Sequence, residues 1–225
     1  MAELIPLFPL SHVLLPGMPL PLHVFEQRYR ELLDDIASAP GGARFGVVAL
    51  RSGTEAANPL TADAGPDVEG IGTLAEILEV EAREDGTSDL LSVGSRRFRI
   101  DRLVPEGRPY LRAEVEFLDE TDGPLTAEHA ARAAELLELY DAMLMKLAGR
   151  ATGAELPDDP TQLSYQVAAR LPLPPAERQA LLVAGTTAER LERLAALLRR
   201  EIALLRRTRS IAVSPAVLRL PAGLT

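Results

Sequence analysis

Residues 7–30 have the sequence L-F-P-L-S-H-V-L-L-P-G-M-P-L-P-L-H-V-F-E-Q-R-Y-R, and the fold prediction starts from this stretch. Its four prolines exclude a long regular helix and permit only short strands of the kind that lie at sheet edges. The apolar side chains between the prolines must either line the interior of a β barrel or contact a ligand. The candidate partner-binding residues of this segment are Pro16, Gly17, Met18, Pro19 and Leu20.

The first half of the chain around this stretch has mostly strand-like patterns. Compact apolar runs occur at 2–9, 44–50 and 71–80, and residues 111–117 alternate between apolar and polar side chains, as in a strand with one buried face. Gly94-Ser95 separates two further runs and predicts a hairpin turn. One helix is predicted from an apolar stripe with helical spacing. That stripe comprises Phe25, Tyr29, Leu32, Leu33 and Ile36.

After residue 122 the apolar period becomes helical. Thr126, Asp159-Pro160 and Thr186 are start signals for helices, since Thr and Asp cap helices and proline fits the first helical turn. The last predicted helix carries an apolar seam suited to packing on other helices, formed by Leu191, Leu194, Leu198, Ile202 and Leu205. We therefore predict an α+β chain with a β-barrel subdomain over 1–122, a helical bundle over 123–209 and a short tail over 210–225.

The charge is unevenly distributed along the chain. Lys plus Arg is 24 and Asp plus Glu is 33, which gives a net charge of −9. Residues 171–225 contribute 9 Arg and 4 acids, or +5, so residues 1–170 carry −14. An acidic barrel region is a poor surface for nucleic acid or an anionic membrane, both of which attract positive fields. We expect neither as a partner.

The residues for common catalytic chemistry are missing from the sequence. There is no cysteine, no P-loop and no G-x-S-x-G motif, and the three histidines lack metal-ligand spacing. A Ser–Lys dyad would need Lys146, the only lysine, and no serine stands near it in sequence. We therefore expect no enzyme activity, no metal and no cofactor. The N-terminus does not look like a signal peptide, so a cytoplasmic location is expected.

The opening stretch resembles the start of the N-terminal substrate-binding domain of Lon protease. The resemblance continues through F-G-V-V at 45–48, I-G-T-L-A-E-I at 71–77, G-S-R-R-F-R-I at 94–100 and the leucine-rich helical region up to about residue 206. The motif residues expected to maintain the fold are Glu26, Arg28, Tyr29, Gly94, Arg97 and Phe98. An ion pair of Glu26 with Arg28 or Arg97 is expected to tie the early helix to the barrel.

The resemblance implies a PUA-like β barrel followed by a helical bundle. It also implies a non-catalytic module that binds unfolded or regulated protein segments, through an apolar groove or a free sheet edge, with a separate protease as a further partner. The chain reaches Thr225 without the ATPase and protease domains of Lon, so we expect it not to hydrolyse ATP or peptides. The alternatives are an RNA-binding PUA-like protein, through the arginines between 96 and 102, and a cryptic hydrolase.

Overall fold

A computed structural model describes residues 2–37, 42–51, 67–104, 107–149 and 155–208. The chain divides into two compact units, Met1–Asp119 and Glu120–Thr225. Strands occur in the first unit, and four of the five described helices occur in the second. The predicted α+β class is confirmed by this element order. The predicted tail over 210–225 lies outside the described residues.

The first unit is a small barrel with one helix. Its described elements are β1 (Glu3–Leu10), β2 (Pro19–Val24), α1 (Gln27–Ala37), β3 (Arg44–Ala49), β4 (Ile71–Ala82), β5 (Ser88–Val104) and β6 (Arg112–Phe117). The strands β1, β3, β4, β5 and β6 form a closed ring, because β5 pairs with β6 as well as with β4. The β1–β3 pair is parallel and the other pairs are antiparallel. Closure of this kind removes exposed sheet edges.

The strand β2 stands outside the ring. It pairs with the first half of β5, from Pro19 opposite Val93 to Val24 opposite Ser88, while the second half of β5 pairs with β6. Among the described strands, β5 is the one neighbour of β2. The proline-rich stretch thus forms a short edge strand, as its composition predicts.

The predicted hairpin turn at Gly94-Ser95 is wrong, because β5 runs through both residues without interruption. Glycine is required at position 94 because the backbone of Leu15 passes close to it, and not because the chain turns there. A Cβ atom on Gly94 would lie 2.4 Å from the backbone oxygen of Leu15, which is far below van der Waals contact. The segment before β2 therefore crosses β5 at Gly94, and the register of β4 against β5 shifts at the same place.

The observed first helix begins later than the apolar stripe predicts. Helix α1 begins at Gln27, so Phe25 lies before it, and 59% of Phe25 is exposed. The other stripe residues Tyr29, Leu32 and Ile36 are buried in the barrel's apolar core, and Leu33 is half-buried against it. The prediction that Phe25 belongs to the buried face of the helix is wrong, and its side chain becomes available at the surface.

The second unit is a set of four described helices, α2 (Ala127–Ala148), α3 (Pro160–Arg170), α4 (Pro175–Val183) and α5 (Thr187–Thr208). The Thr126 and Asp159 caps are present where the sequence predicts them. The hydroxyl of Thr186 accepts a hydrogen bond from the backbone N–H of Glu189 and caps α5. All five residues of the predicted leucine-rich seam are buried. None of the described helices is long and apolar enough to span a membrane.

A buried arginine holds the second unit together. Arg190 has no solvent exposure and donates to the carboxylate of Glu120 at 2.9 Å, to the hydroxyl of Ser164 at 3.0 Å and to the carbonyl of Leu181 at 3.3 Å. Its guanidinium lies 4.0 Å from the ring centroid of Tyr165, whose hydroxyl also donates to Glu120. A buried charge is tolerated because its donors are satisfied in this way.

Candidate functional site

The first predicted binding residues form a tight turn. The backbone N–H of Met18 donates to the carbonyl of Leu15 at 3.0 Å, and Gly17 has φ of 78°. Pro16 and Gly17 are therefore the central residues of a turn that needs a positive φ at its third position, which glycine supplies. Reciprocal backbone hydrogen bonds with Gly94, at 2.8 and 2.9 Å, fix this turn on β5.

The remaining residues of the predicted segment alternate between inward-facing and exposed positions as β2 begins. Leu20 is buried in the apolar core and Met18 packs against that core, whereas Pro19 is exposed. The segment 16–20 is thus partly turned inward and fixed by its backbone. Leu22 is half-buried and packs against the same core, whereas Phe25, just after the strand, is exposed.

An apolar cleft, which we call the aromatic cleft, opens beside this end of β2. It has a volume of about 240 Å³. One wall is a pair of stacked rings, Phe8 and Tyr29, whose centroids are 3.9 Å apart and whose planes differ by 12°. Phe25 lies at the cleft with its ring close to that of His23. The lining residues are Phe8, Pro9, Leu10, Leu22, His23, Val24, Phe25, Glu26 and Tyr29.

Charged residues position the walls of the aromatic cleft. Glu26 pairs with Arg28 at 2.7 Å, and the Arg28 guanidinium lies 4.6 Å from the ring centroid of Tyr29. Arg30 donates two hydrogen bonds to the carbonyl of Phe25, at 2.9 and 3.1 Å. The backbone of Phe25 is therefore fixed while its ring remains exposed. Of the two partners expected for Glu26, Arg28 forms the ion pair, which lies beside the cleft at the start of α1.

The other motif residues lie in the barrel and away from the cleft lining. Phe98 is fully buried in the second apolar cluster of the barrel, and Arg97 is 3% exposed on the same strand. Together with the close approach at Gly94, these positions suit fold maintenance. None of the three residues lines the aromatic cleft.

A second depression, which we call the acidic groove, lies on the outer face of β2, β5 and β4. Its volume is about 370 Å³, and it shares Leu22 and His23 with the aromatic cleft. The hydrogen bonds from His23 and Arg83 lower the pKa of Asp89 below its usual value, so Asp89 carries its charge near neutrality. The lining residues are Pro21, Leu22, His23, Glu79, Glu81, Asp89, Leu90 and Leu91.

Sequence reasoning missed the main residues of both depressions. The helical spacing places Phe25 on a buried helix stripe, and no sequence signal points to Leu91. The signal that could have found Phe25 is an alternation that begins in β2 and continues past its end, since Pro19, Pro21, His23 and Phe25 are exposed at every second position.

The arginines between 96 and 102 do not form a free basic patch. Arg99 pairs with Glu116 and Arg102 pairs with Glu114, both on the neighbouring strand β6. Arg96 lies over the ring of Phe117, 4.9 Å from its centroid. Their charges are therefore largely neutralised by cross-strand acids. A phosphate backbone would have to compete with these ion pairs.

The cleft lining offers little for catalysis. Its ionisable side chains are those of His23, Glu26 and Tyr29, and Glu26 is already paired with Arg28. None of its lining residues is a serine, threonine or lysine. In the part of the chain that the structure describes, no group of three His, Asp or Glu side chains could hold a metal ion. The geometry therefore suits apolar contact better than bond cleavage.

Comparison with known proteins gives one consistent result. Residues 4–200 match the family described as the ATP-dependent protease La (LON) substrate-binding domain. Lon protease 2 of Syntrophobacter fumaroxidans is 32% identical over 84% of this chain and 23% of that protein. Lon protease of Escherichia coli is 31% identical over 89% of this chain and 25% of that protein. The chain thus spans about a quarter of the length of these curated relatives.

Solved structures agree with this match. The crystal structure of a Lon N-terminal domain protein from Xanthomonas campestris has a TM-score of 0.62 and 31% sequence identity, and the match covers 86% of this chain and 98% of that one. The N-terminal domain of Mycobacterium avium complex Lon protease has a TM-score of 0.63 at 20% identity, covering 88% and 98% of the two chains, and shares the fold.

Proposed function

The chain belongs to the LON substrate-binding domain family, and on this premise we propose that it is a non-catalytic module that binds unfolded polypeptide segments in the aromatic cleft. The bound segments belong to other proteins and present bulky apolar side chains. A protease that acts on the captured polypeptide is the further partner class that family membership suggests.

The exposure of Phe25 is the observation that carries this proposal. An aromatic side chain that is 59% exposed, beside a cleft walled by the Phe8 and Tyr29 rings, leaves apolar surface in water that a partner could cover. Burial of apolar area is worth roughly 25 cal/mol per Å², so one inserted side chain provides a useful part of the binding free energy. Folded proteins bury such side chains, and unfolded ones expose them.

Insertion of side chains is favoured over addition of a strand to β2. A peptide that extends a sheet needs backbone N–H and C=O groups along the edge. Pro19 and Pro21 supply no N–H, so two of the six residues of β2 cannot donate to any neighbour. The aromatic cleft, rather than the free edge of the sheet, is therefore the proposed contact surface.

A binding measurement with one protein in two folding states tests the proposal. Fluorescein-labelled α-lactalbumin is used either native, with its disulfides intact, or reduced and carboxymethylated, and fluorescence anisotropy follows titration with the full chain. We expect saturable binding of the carboxymethylated form and none of the native form. Failure to bind the unfolded form, or equal binding of both forms, would contradict the proposal.

A further inference from the structure

The acidic groove carries negative charge that the protein itself leaves unpaired. Glu79 and Glu81 line the groove and are exposed. Neither carboxylate has a hydrogen bond or an ion pair with another residue in the described part of the chain, whereas Asp89 is paired with His23 and Arg83. Two carboxylates without a hydrogen bond or ion pair therefore stand beside the apolar surface of Pro21 and Leu91.

The strand register makes this arrangement unfavourable without a partner. Glu81 lies directly opposite Asp89 in the β4–β5 pair, and Glu79 lies opposite Leu91. Like charges directly opposite each other on a sheet face destabilise the pair. A cation bound at this position would relieve the repulsion, and the neighbouring exposed Leu91 offers apolar surface to the stem of a lysine or arginine side chain.

The nearby basic residues of the protein are already engaged. Arg83 forms an ion pair with Asp89, and Arg30 donates two hydrogen bonds to the carbonyl of Phe25. His23 contacts Asp89 through Nδ1 at 2.8 Å. Arg83 also attracts Glu81 electrostatically. This one arginine faces the three groove carboxylates of Glu79, Glu81 and Asp89, so the groove keeps a net negative charge.

We propose that the segments bound at this site combine a bulky apolar side chain with a lysine or arginine, the apolar group in the aromatic cleft and the cation in the acidic groove. This inference rests on the proposed function and names its substrate class. The two depressions meet at His23, and Pro21 to Phe25 spans about 13 Å at roughly 3.3 Å per residue of extended chain. The two determinants are therefore separated by about four residues of an extended segment.

Three labelled peptides of one apolar sequence test the charge preference. Each carries a central Phe-Leu pair, and the residues four positions away on both sides are Lys, Gln or Glu. We expect the chain to bind the Lys peptide about three- to tenfold more tightly than the Glu peptide at low salt, with the Gln peptide between them. High salt should remove the difference, because exposed charges are screened.

The variant Glu79→Gln/Glu81→Gln assigns the preference to the groove. It should bind all three peptides with nearly the affinity that the wild type shows for the Gln peptide. The matched control is Glu135→Gln/Glu138→Gln, which removes two exposed acids from α2 and should keep the preference. Circular dichroism checks that each variant is folded.

The outcomes separate the two proposals. If the Gln peptide binds but the wild type shows no charge preference, or if Glu79→Gln/Glu81→Gln retains it, the charge inference is overturned and the apolar cleft stands. If none of the peptides binds, both proposals fail. Equal binding of lysozyme, a folded cationic protein, would show that charge alone suffices and would also overturn the inference.

Discussion

Removal of Glu120 should destabilise the helical unit more than removal of Arg190, its ion-pair partner. The reason is the difference in burial, since the Arg190 side chain is 0% exposed and that of Glu120 is 31% exposed. Glu120→Ala leaves a guanidinium in the interior with no counter-charge, held by its hydrogen bonds to Ser164 and Leu181 and by the Tyr165 ring. The substitution also removes the acceptor of the Tyr165 hydroxyl. Arg190→Met leaves a carboxylate that water can reach.

The magnitudes follow from these contacts. Glu120→Ala removes two hydrogen bonds to an ionised carboxylate, those from Arg190 and Tyr165, each worth about 1.5–3 kcal/mol. Breaking a buried pair from one side costs about 3–5 kcal/mol, so we expect a loss of about 3–4 kcal/mol. Arg190→Met removes the same bond to Glu120 and the bonds to Ser164 and Leu181, but it also removes the cost of burying a charge and leaves Glu120 open to water. It should therefore cost less, about 2 kcal/mol.

The double variant provides the decisive comparison. Without Glu120, the buried guanidinium has no counter-charge and destabilises the folded state. Glu120→Ala/Arg190→Met should therefore be at least as stable as Glu120→Ala alone. Urea unfolding followed by far-UV circular dichroism measures this, because four of the five described helices lie in the second unit. Additivity of the two single effects to within about 0.5 kcal/mol would refute the reasoning, since independent sites add in that way.

Two further predictions test the barrel and the buried hydroxyls. Gly94→Ala should lower the free energy of unfolding because its Cβ would lie 2.4 Å from the Leu15 oxygen, whereas Gly70→Ala, with nothing within 4 Å, should be neutral; equal urea midpoints would contradict this. Burial raises the pKa of Tyr110 and Tyr140 to about 12, above an unfolded value of about 10. Each folded pKa is the higher one, so stability should fall between about pH 10 and 12. Tyrosinate absorbance should show late-titrating groups, of which Tyr110→Phe and Tyr140→Phe each remove one.

The helical unit was the most predictable part of the chain. Its signals are local, since Thr126 and Asp159 cap their helices through neighbours a few residues away and the seam from Leu191 to Leu205 follows one helical period. The Arg190 network was not predictable, because Glu120 and Ser164 are distant from Arg190 in sequence.

The presence of strands in the barrel was predictable from the apolar patterns, but the close approaches, the strand register and the start of the helix were not. Gly94-Ser95 resembles a turn locally, yet the requirement on Gly94 comes from Leu15, which is remote in sequence. The basic run from Arg96 to Arg102 looks like a surface for RNA until the register places Glu114 and Glu116 opposite it. Phe25 has the spacing of a helix face, but the helix begins at Gln27, and the exposed ring that this creates is the centre of the proposed site.

The affinity of Phe25→Ala for carboxymethylated α-lactalbumin tests the central claim most directly. Arg30 binds the carbonyl of Phe25, so the backbone should keep its place when the ring is removed. Loss of about 60 Å² of apolar contact at about 25 cal/mol per Å² is worth about 1.5 kcal/mol, and we expect roughly tenfold weaker binding. Leu204→Ala, an exposed apolar truncation on α5, is the control and should bind like the wild type. Unchanged affinity of Phe25→Ala, or an equal loss in Leu204→Ala, would contradict binding in the aromatic cleft.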